Sequence, residues 1–420
     1  MSKETGSHLP LSGYKILDLS VMTAGPVGTM LLGDMGADVI KVEEPARGDL
    51  ARDLGNQFVR GESVQFMSQN RNKRSLRLDL KSSQGRDVFL RMASEADVIV
   101  ENFRPGTVDR LGIGYEAVRA VNPGIIYASA SAFGQSGPYA AWPANDPIVQ
   151  AVTGLMDMTG ESEGLPVRLG APLPDFGAAA MLALGVTAAL LHRERTGLGQ
   201  RLDTSLLGAS LFSTIPRDGE TIRSGKAPSR LGSGHPTMVP YRNYKGSDGN
   251  YFFAACFTEK FWRNLCQVLD RVDLLDDPRF VDNTRRTENR EQLDTILEEI
   301  FAAQPAAHWV QILSNADVPS AAVQDYHTAL TVDPQIKHIG ALIQMDHPVA
   351  GPLTNLANPI NFHGSPVQVR YAPPVLGQHS EEVLRQFGFS DEEINDLTSQ
   401  GVVKGSRMSD DDKNRANNGS

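Results

Sequence analysis

Positive charge is what this chain is short of: 40 lysines and arginines stand against 50 aspartates and glutamates, a formal net charge of −10 over 420 residues. A nucleic-acid-binding domain shows a basic footprint, so the balance speaks against that partner. It leaves an anionic small ligand open, because a ligand feels the local field of its site rather than the chain total. Cysteine is scarcer still. Cys256 and Cys266 are the only two and form no CxxC pair, which argues against a disulfide framework and points to a reducing compartment. Long apolar runs are missing as well. The longest, Ala178 to Leu191, is interrupted by Gly185 and followed by His192-Arg193-Glu194-Arg195. It falls short of the ~20 residues of a spanning helix and is read as a buried core helix, with no membrane partner. Met1 to Pro10 is polar and carries no apolar h-region, so a soluble, cytoplasmic protein is expected.

Several chemical signatures are also absent. There is no GxGxxG, Walker A, GxSxG or HExxH sequence, and the nine histidines are scattered. Neither dinucleotide binding, a P-loop, a nucleophile elbow nor a metal site has a local signal. No permanently bound cofactor and no metal are expected.

What is present is an alternation of short apolar runs with helical patterns. Strands are read at Lys15–Leu19, Val39–Val42, Ser75–Leu80, Asp97–Val100 and Ile125–Ala130, with helices through Gly36, over Ser83–Ala93 and near Tyr115–Val121. Such alternation predicts right-handed crossovers and a mostly parallel sheet, an α/β fold. At 420 residues the chain exceeds the ~250–300 at which single cores stop growing, so two domains are expected. The Gly-, Pro- and Ser-rich stretch Ser224–Gly249 reads as the exit from the first. Beyond it the chain is expected to form a smaller domain. The polar tail 404–420 is expected to be disordered.

Three groups of residues carry chemistry. Arg71, Lys73 and Arg74, with Asn70 and Asn72, offer cations and donors ahead of a strand, as an anionic phosphate ligand requires; a solvated charged loop explains them as well. Glu101 to Gly106 brings Asn102, Phe103 and Arg104 to a strand end, where an amide, an aromatic face and a guanidinium suit adenine and phosphate; an ordinary Pro-Gly turn suits them equally. Asp175 opens the apolar helix. It fits the N-cap, and it also fits a carboxylate kept ionised by the helix dipole and able to act as a covalent nucleophile. Gly197 and Gly199 stop the far end of that helix.

Ordered matches run from about Leu11 to Val403. They include Lys15–Ser20 with Ala24-Gly25-Pro26, Gly36-Ala37-Asp38 through Glu43, Asn72-Lys73-Arg74-Ser75, and Ala96-Asp97-Val98 through Gly106. Gly134-Gln135-Ser136-Gly137-Pro138, Arg195-Thr196-Gly197-Leu198-Gly199-Gln200, Asp277-Pro278-Arg279-Phe280 and Pro374 to His379 continue them. In these segments the chain resembles the class III CoA-transferase family (CaiB/BaiF type), which includes formyl-CoA transferase, carnitine CoA-transferases and α-methylacyl-CoA racemases.

The resemblance implies that Asp175 is the catalytic aspartate and that coenzyme A is contacted at Thr23, Ala24, Leu78 to Lys81, Asn102, Phe103, Arg104 and Arg110. It implies an interlocked homodimer, with a large Rossmann-like domain of residues 1–224 and 331–420 that holds both chain ends and a smaller α+β domain of residues 225–330 from the middle of the chain. An arginine that contacts CoA in formyl-CoA transferase falls on Glu44, and the glycine-rich loop of that enzyme is not evident near Cys256, so a formyl or oxalyl substrate is disfavoured. Racemases of the family carry a His-Asp pair beginning 30 residues before the aspartate. Here that pair is Asn145-Asp146, and an amide cannot exchange a proton at an α-carbon as histidine does. Asp146 is kept as a supporting acid, or as a helix N-cap before Pro147.

The implied activity is CoA transfer from an acyl-CoA, succinyl-CoA being the candidate donor, to a carboxylic acid through a covalent aspartyl intermediate. Acyl-CoA racemisation is the runner-up and a non-catalytic CoA-binding protein the third reading.

Overall fold

The computed structural model describes residues 9–407. They divide into two compact units, one of residues up to Thr153 with Gly170–Asp218 and the chain from His338 onward, the other of Gly154–Leu169 and Gly219–Lys337.

The first unit is built on a seven-stranded sheet. From one edge its order is Val403–Lys404, Lys73–Leu78, Asp38–Glu43, Lys15–Asp18, Val98–Glu101, Ile126–Ser131 and Gln200–Ser205. All pairings are parallel except that of Val403–Lys404, which runs antiparallel to Lys73–Leu78. Alternate residues enter opposite faces. Leu17, Ile40, Ile99 and Tyr127 join Phe89, Met92 and Leu384 on one side; Ile16, Val39, Val98 and Ile126 meet Leu32, Leu182 and Val186 on the other. A sheet covered on both faces is the usual setting for parallel strands. The strand order reverses beside Lys15–Asp18, so the loops after Asp18 and Glu101 part and open a crevice at the carboxyl ends of the strands.

The helix Leu173–Thr196 passes under this crevice. It has 24 residues and is long and apolar enough to cross a membrane by length and composition. Its inner face, Ala178, Leu182, Val186 and Leu190, is buried in the core, and Gly197 ends it in the left-handed region at φ 75°. The expected N-cap is displaced. Pro172 is the cap residue and Asp175 lies inside the first turn, because Pro174 already occupies an early helical position that suits its fixed φ and missing N–H. Asp146 likewise begins the helix Asp146–Val152 as its first helical residue, with Asn145 as the cap.

The second unit carries the antiparallel strands Ser320–Ala322, Tyr251–Ala255 and Tyr241–Lys245 under the helices Glu259–Val268, Arg290–Phe301 and Ala306–Asn315. Phe252, Trp262, Phe301 and Trp309 fill its core. The segment Gly154–Leu169, assigned from sequence to the large domain, groups here because Gly160 O accepts Gly232 N–H at 2.9 Å and Arg230 pairs with Asp157 at 3.2 Å. The tail expected to be disordered from 404 instead begins in a strand: Lys404 pairs with Arg77, and Arg407 N–H donates to Leu376 O at 2.9 Å. The rest of that expectation lies on 408–420, outside the described residues.

Candidate active site

The loop that follows the first strand is held rigidly. Asn102 clamps Val21 with its whole amide, Oδ1 accepting Val21 N–H at 2.8 Å and Nδ2 donating to Val21 O at 2.7 Å. Met22 is left-handed at φ 68°, a conformation that costs a side-chain-bearing residue about 1 kcal/mol or more, and its N–H is held by Asp49 Oδ1 at 3.0 Å. The loop delivers Thr23, half-buried, to the start of the helix Ala24–Asp34, where its side chain makes no capping bond. Ala24 is buried against Phe133, Val149 and Ala178, so only its backbone is available to a ligand.

Two clefts flank this loop. One, of about 290 Å³, lies over the strand ends between Leu19–Val21, Glu43–Pro45, Leu78–Lys81 and Phe103. The other, of about 370 Å³, lies between Asn102–Pro105, Ser131–Ala132 and Trp142–Asn145. Phe103 lines both. Arg104 lines the second and has no carboxylate partner among the described residues. Glu44 lines the first, its carboxylate drawn below the usual range, against the effect of burial, by the N–H groups of Arg47 and Ala46. Arg110 lines neither cleft and donates to Thr107 Oγ1 at 3.0 Å.

The basic cluster is a correction. Lys73 is wholly buried, paired with Asp18 at 2.9 Å and bonded to Pro26 O and Asn70 Oδ1. Burial pushes its ammonium down to about 8 despite Asp18. Arg71 is paired with Asp34 and Arg74 with Asp38 and Glu382. None is a solvated loop cation, and none lines either of these two clefts. They are the internal counter-ions of acids on neighbouring elements.

Asp175 and Asp146 come together. The Asp175 N–H donates to Asp146 Oδ2 at 3.2 Å, while Gln150 Nε2 donates to Asp146 Oδ1 at 2.5 Å. Pro172 has no side-chain acceptor to offer the first turn, and Asp146 supplies one from another helix. The Asp175 carboxyl is therefore not used as a cap. Burial, and then the repulsion of Asp146, raise its pKa to about 6. No cation pairs with either acid among the described residues. The arrangement is a desolvated carboxylate, ionised at neutral pH and more basic than a free one, which suits nucleophilic attack on an acyl group.

Sequence reasoning did not single out Gln150, or the stack of Tyr139 on Trp142 at 4.1 Å whose indole walls the second cleft. A tryptophan in the Gly- and Pro-rich stretch 134–145 is the signal by which the latter could have been found.

The sequence model of a family described as CoA-transferase family III matches residues 11–380. Succinyl-CoA:glutarate CoA-transferase of Homo sapiens is 35% identical over 396 residues, covering 94% of this chain and 90% of that protein. Acetyl-CoA:oxalate CoA-transferase of Acetobacter aceti is 37% identical over 380 residues, covering 90% of this chain and 96% of that protein. Among solved structures, a CaiB/BaiF family protein from Brucella suis superimposes with a TM-score of 0.80 at 33% identity, covering 90% of this chain and 100% of that one.

Proposed function

This chain belongs to CoA-transferase family III and is a CoA-transferase acting between an acyl-CoA and a carboxylate, and from that premise we propose that the transfer runs through a covalent intermediate on Asp175. The Asp175 carboxylate attacks the donor thioester, the C–S bond breaks, and a mixed anhydride forms with CoA thiolate released. The thiolate attacks the aspartyl carbonyl, expelling the donor acid and leaving an aspartyl-CoA thioester. The acceptor carboxylate then reverses both steps, restoring the Asp175 carboxylate. No proton and no redox equivalent is consumed, so no permanently bound cofactor is called for.

The observation that carries this reading is the Asp175 carboxyl itself, unpaired with any cation among the described residues and raised to about 6 by burial and Asp146. At pH 7 a group of that pKa is about 90% ionised and still more basic than an ordinary carboxylate. The two clefts joined at Phe103 suit an elongated ligand, with Leu78, Lys81 and Arg104 along its course. Succinyl-CoA is the proposed donor, in keeping with the printed activity of the human relative.

The alternative, an acyl-CoA racemase, needs a base where Asn145 stands, and an amide is not one. The chain is further proposed to act as an interlocked homodimer. The outer face of Leu173–Thr196 supports this, exposing Phe176, Met181, Leu184 and Leu191, an apolar stripe of the kind partners cover. A cytoplasmic location is in keeping with two buried free cysteines.

The deciding experiment incubates the protein with a panel of acyl-CoAs, traps activated carboxylates with hydroxylamine or borohydride, and maps the adduct by peptide mass spectrometry. An adduct on Asp175 is expected. Solvent deuterium entering the α-position without any acid acceptor, and no adduct, would instead make the protein a racemase.

A further inference from the structure

Gln150 is wholly buried one turn after Asp146. Burying an amide is costly unless it is hydrogen-bonded, and an apolar residue would fill the same space beside Val149 without that requirement. The amide has a specific task. Its Nε2 donates to Asp146 Oδ1, leaving Oδ2 to accept the Asp175 N–H. Each oxygen of the Asp146 carboxylate is thus directed, one to its own helix and one to the first turn of Leu173–Thr196.

We propose that Gln150 is a positioning residue for the transfer reaction, locking the Asp146 carboxylate so that it caps the first turn of the Asp175 helix and aims the reacting carboxylate. This rests on the reading of Asp175 as the nucleophile. A neutral donor is the one residue type that does this work. Lysine or arginine at position 150 would neutralise Asp146 and remove the repulsion acting on Asp175; a carboxylate there would compete with Asp146 for protons. Gln150 fixes the direction of Asp146 and leaves its charge in place.

The surroundings do not supply that charge by another route. Among the described residues, Asp146 is the charged group whose repulsion acts on Asp175. The helix Leu206–Phe212, packed against both acidic helices, carries no ionisable side chain. The helix Ala24–Asp34 brings Asp34, which is bound by Arg71. The strand Gln200–Ser205 brings Arg201 and Asp203, both exposed, and Ile126–Ser131 brings Tyr127, buried on the other face of the sheet with its hydroxyl donating to Ile113 O at 3.1 Å and its pKa pushed upward by burial.

The test uses the full chain with carboxyl-13C aspartate, the Asp175 resonance being identified by its loss in Asp175→Asn. Its titration midpoint is followed by NMR, and the pH dependence of Asp175 acylation by succinyl-CoA is measured in parallel by hydroxylamine trapping. In Gln150→Met, close in volume but without the donor, nothing holds the Asp146 carboxylate in its place against the Asp175 turn. The Asp175 midpoint is expected to fall by about one pH unit, with acylation slowed ~10-fold or more. In Gln150→Glu, nearly isosteric, the added carboxyl is expected to raise the midpoint. Midpoints unchanged from the native protein in a folded variant overturn the proposal, since a merely structural glutamine would alter stability without moving them. Should Gln150→Met not fold, an unmoved midpoint in Gln150→Glu is decisive by itself. Absence of any Asp175 adduct in the native protein would sink the transfer mechanism separately, with the titration still deciding what Gln150 does.

Discussion

The backbone N–H of Asp175 is capped by the side chain of Asp146, 3.2 Å away and 29 residues earlier in the chain. Two acids are thus joined through one backbone donor, with their carboxyl groups near enough for one to raise the pKa of the other. Replacing Asp146 by Asn keeps the acceptor for the cap and removes the charge. Asp146→Asn is therefore expected to lower the Asp175 midpoint below 6, toward the carboxylate range, while burial keeps it above 3.8. The pH profile of Asp175 acylation checks this, and an acid limb that stays at 6 would show that burial alone sets the value.

Removal of the proposed nucleophile has a different signature. Asp175→Ala is expected to reduce transfer by ~1000-fold or more while leaving CoA affinity within a few-fold of native, because the clefts are built by other residues. Steady-state turnover together with calorimetric CoA binding separates the two quantities. Turnover retained in this variant would sink the covalent mechanism.

The same carboxyl carries a stability cost with a definite sign. The folded pKa of about 6 lies above the ordinary 3.8, so the folded state binds this proton more tightly than the unfolded chain does. The contribution is fully present below pH ~4 and is lost as pH rises through 6. Asp175→Asn is expected to be stabilising at pH 8, by about 1–3 kcal/mol, and near neutral at pH 4. Urea midpoints at the two pH values measure it; equal effects at both would show that the shift is not borne by Asp175.

Lys73 makes the opposite kind of prediction. It is the buried partner of Asp18, whose carboxyl burial would raise but which Lys73 and Lys41 hold down to about 2. Lys73→Met strands a buried carboxylate and is expected to cost ~3–5 kcal/mol of stability. In whatever fraction folds, the KM for the acyl-CoA is expected to stay native, because the ammonium points into the core. A raised KM at native stability would return Lys73 to the ligand.

Why the sequence marks the helix at Asp175 but leaves the partner of Lys73 unread follows from where each residue's partners lie. The apolar run after Asp175 and the glycine that ends it are local, and the helix Leu173–Thr196 follows from them. The strand Lys73–Leu78 was legible too, since Leu76 and Leu78 mark its core face. The ion pair of Lys73 is set by a residue 55 positions away, brought alongside only by the sheet order, and no local pattern encodes it. The cap on Asp175 is of the same kind. A search for the acceptor among its immediate neighbours finds Pro172, which has none to give. The strand Gln200–Ser205 went unread because it is an edge of half-exposed, mostly polar residues with little apolar alternation.

Asn102 and Arg104 stand two residues apart on one turn and are expected to fail in different ways. The amide of Asn102 is taken up by Val21, so Asn102→Ala frees the loop that presents Thr23 and Ala24. It is expected to lower kcat as well as raise KM for the acyl-CoA, and to do so at any ionic strength. Among the described residues Arg104 pairs with no carboxylate, and its guanidinium lines the second cleft. Arg104→Glu is expected to raise KM ~10- to 100-fold with a small change in kcat, and to abolish most of the salt dependence of binding, since the contact it removes is one between charges. Measuring KM and kcat for both variants at two ionic strengths tells a positioning amide from a ligand-facing cation. A salt dependence that survives charge reversal at Arg104 would mean that the anionic part of the substrate lies elsewhere, with Lys81 the next cation along the strand ends.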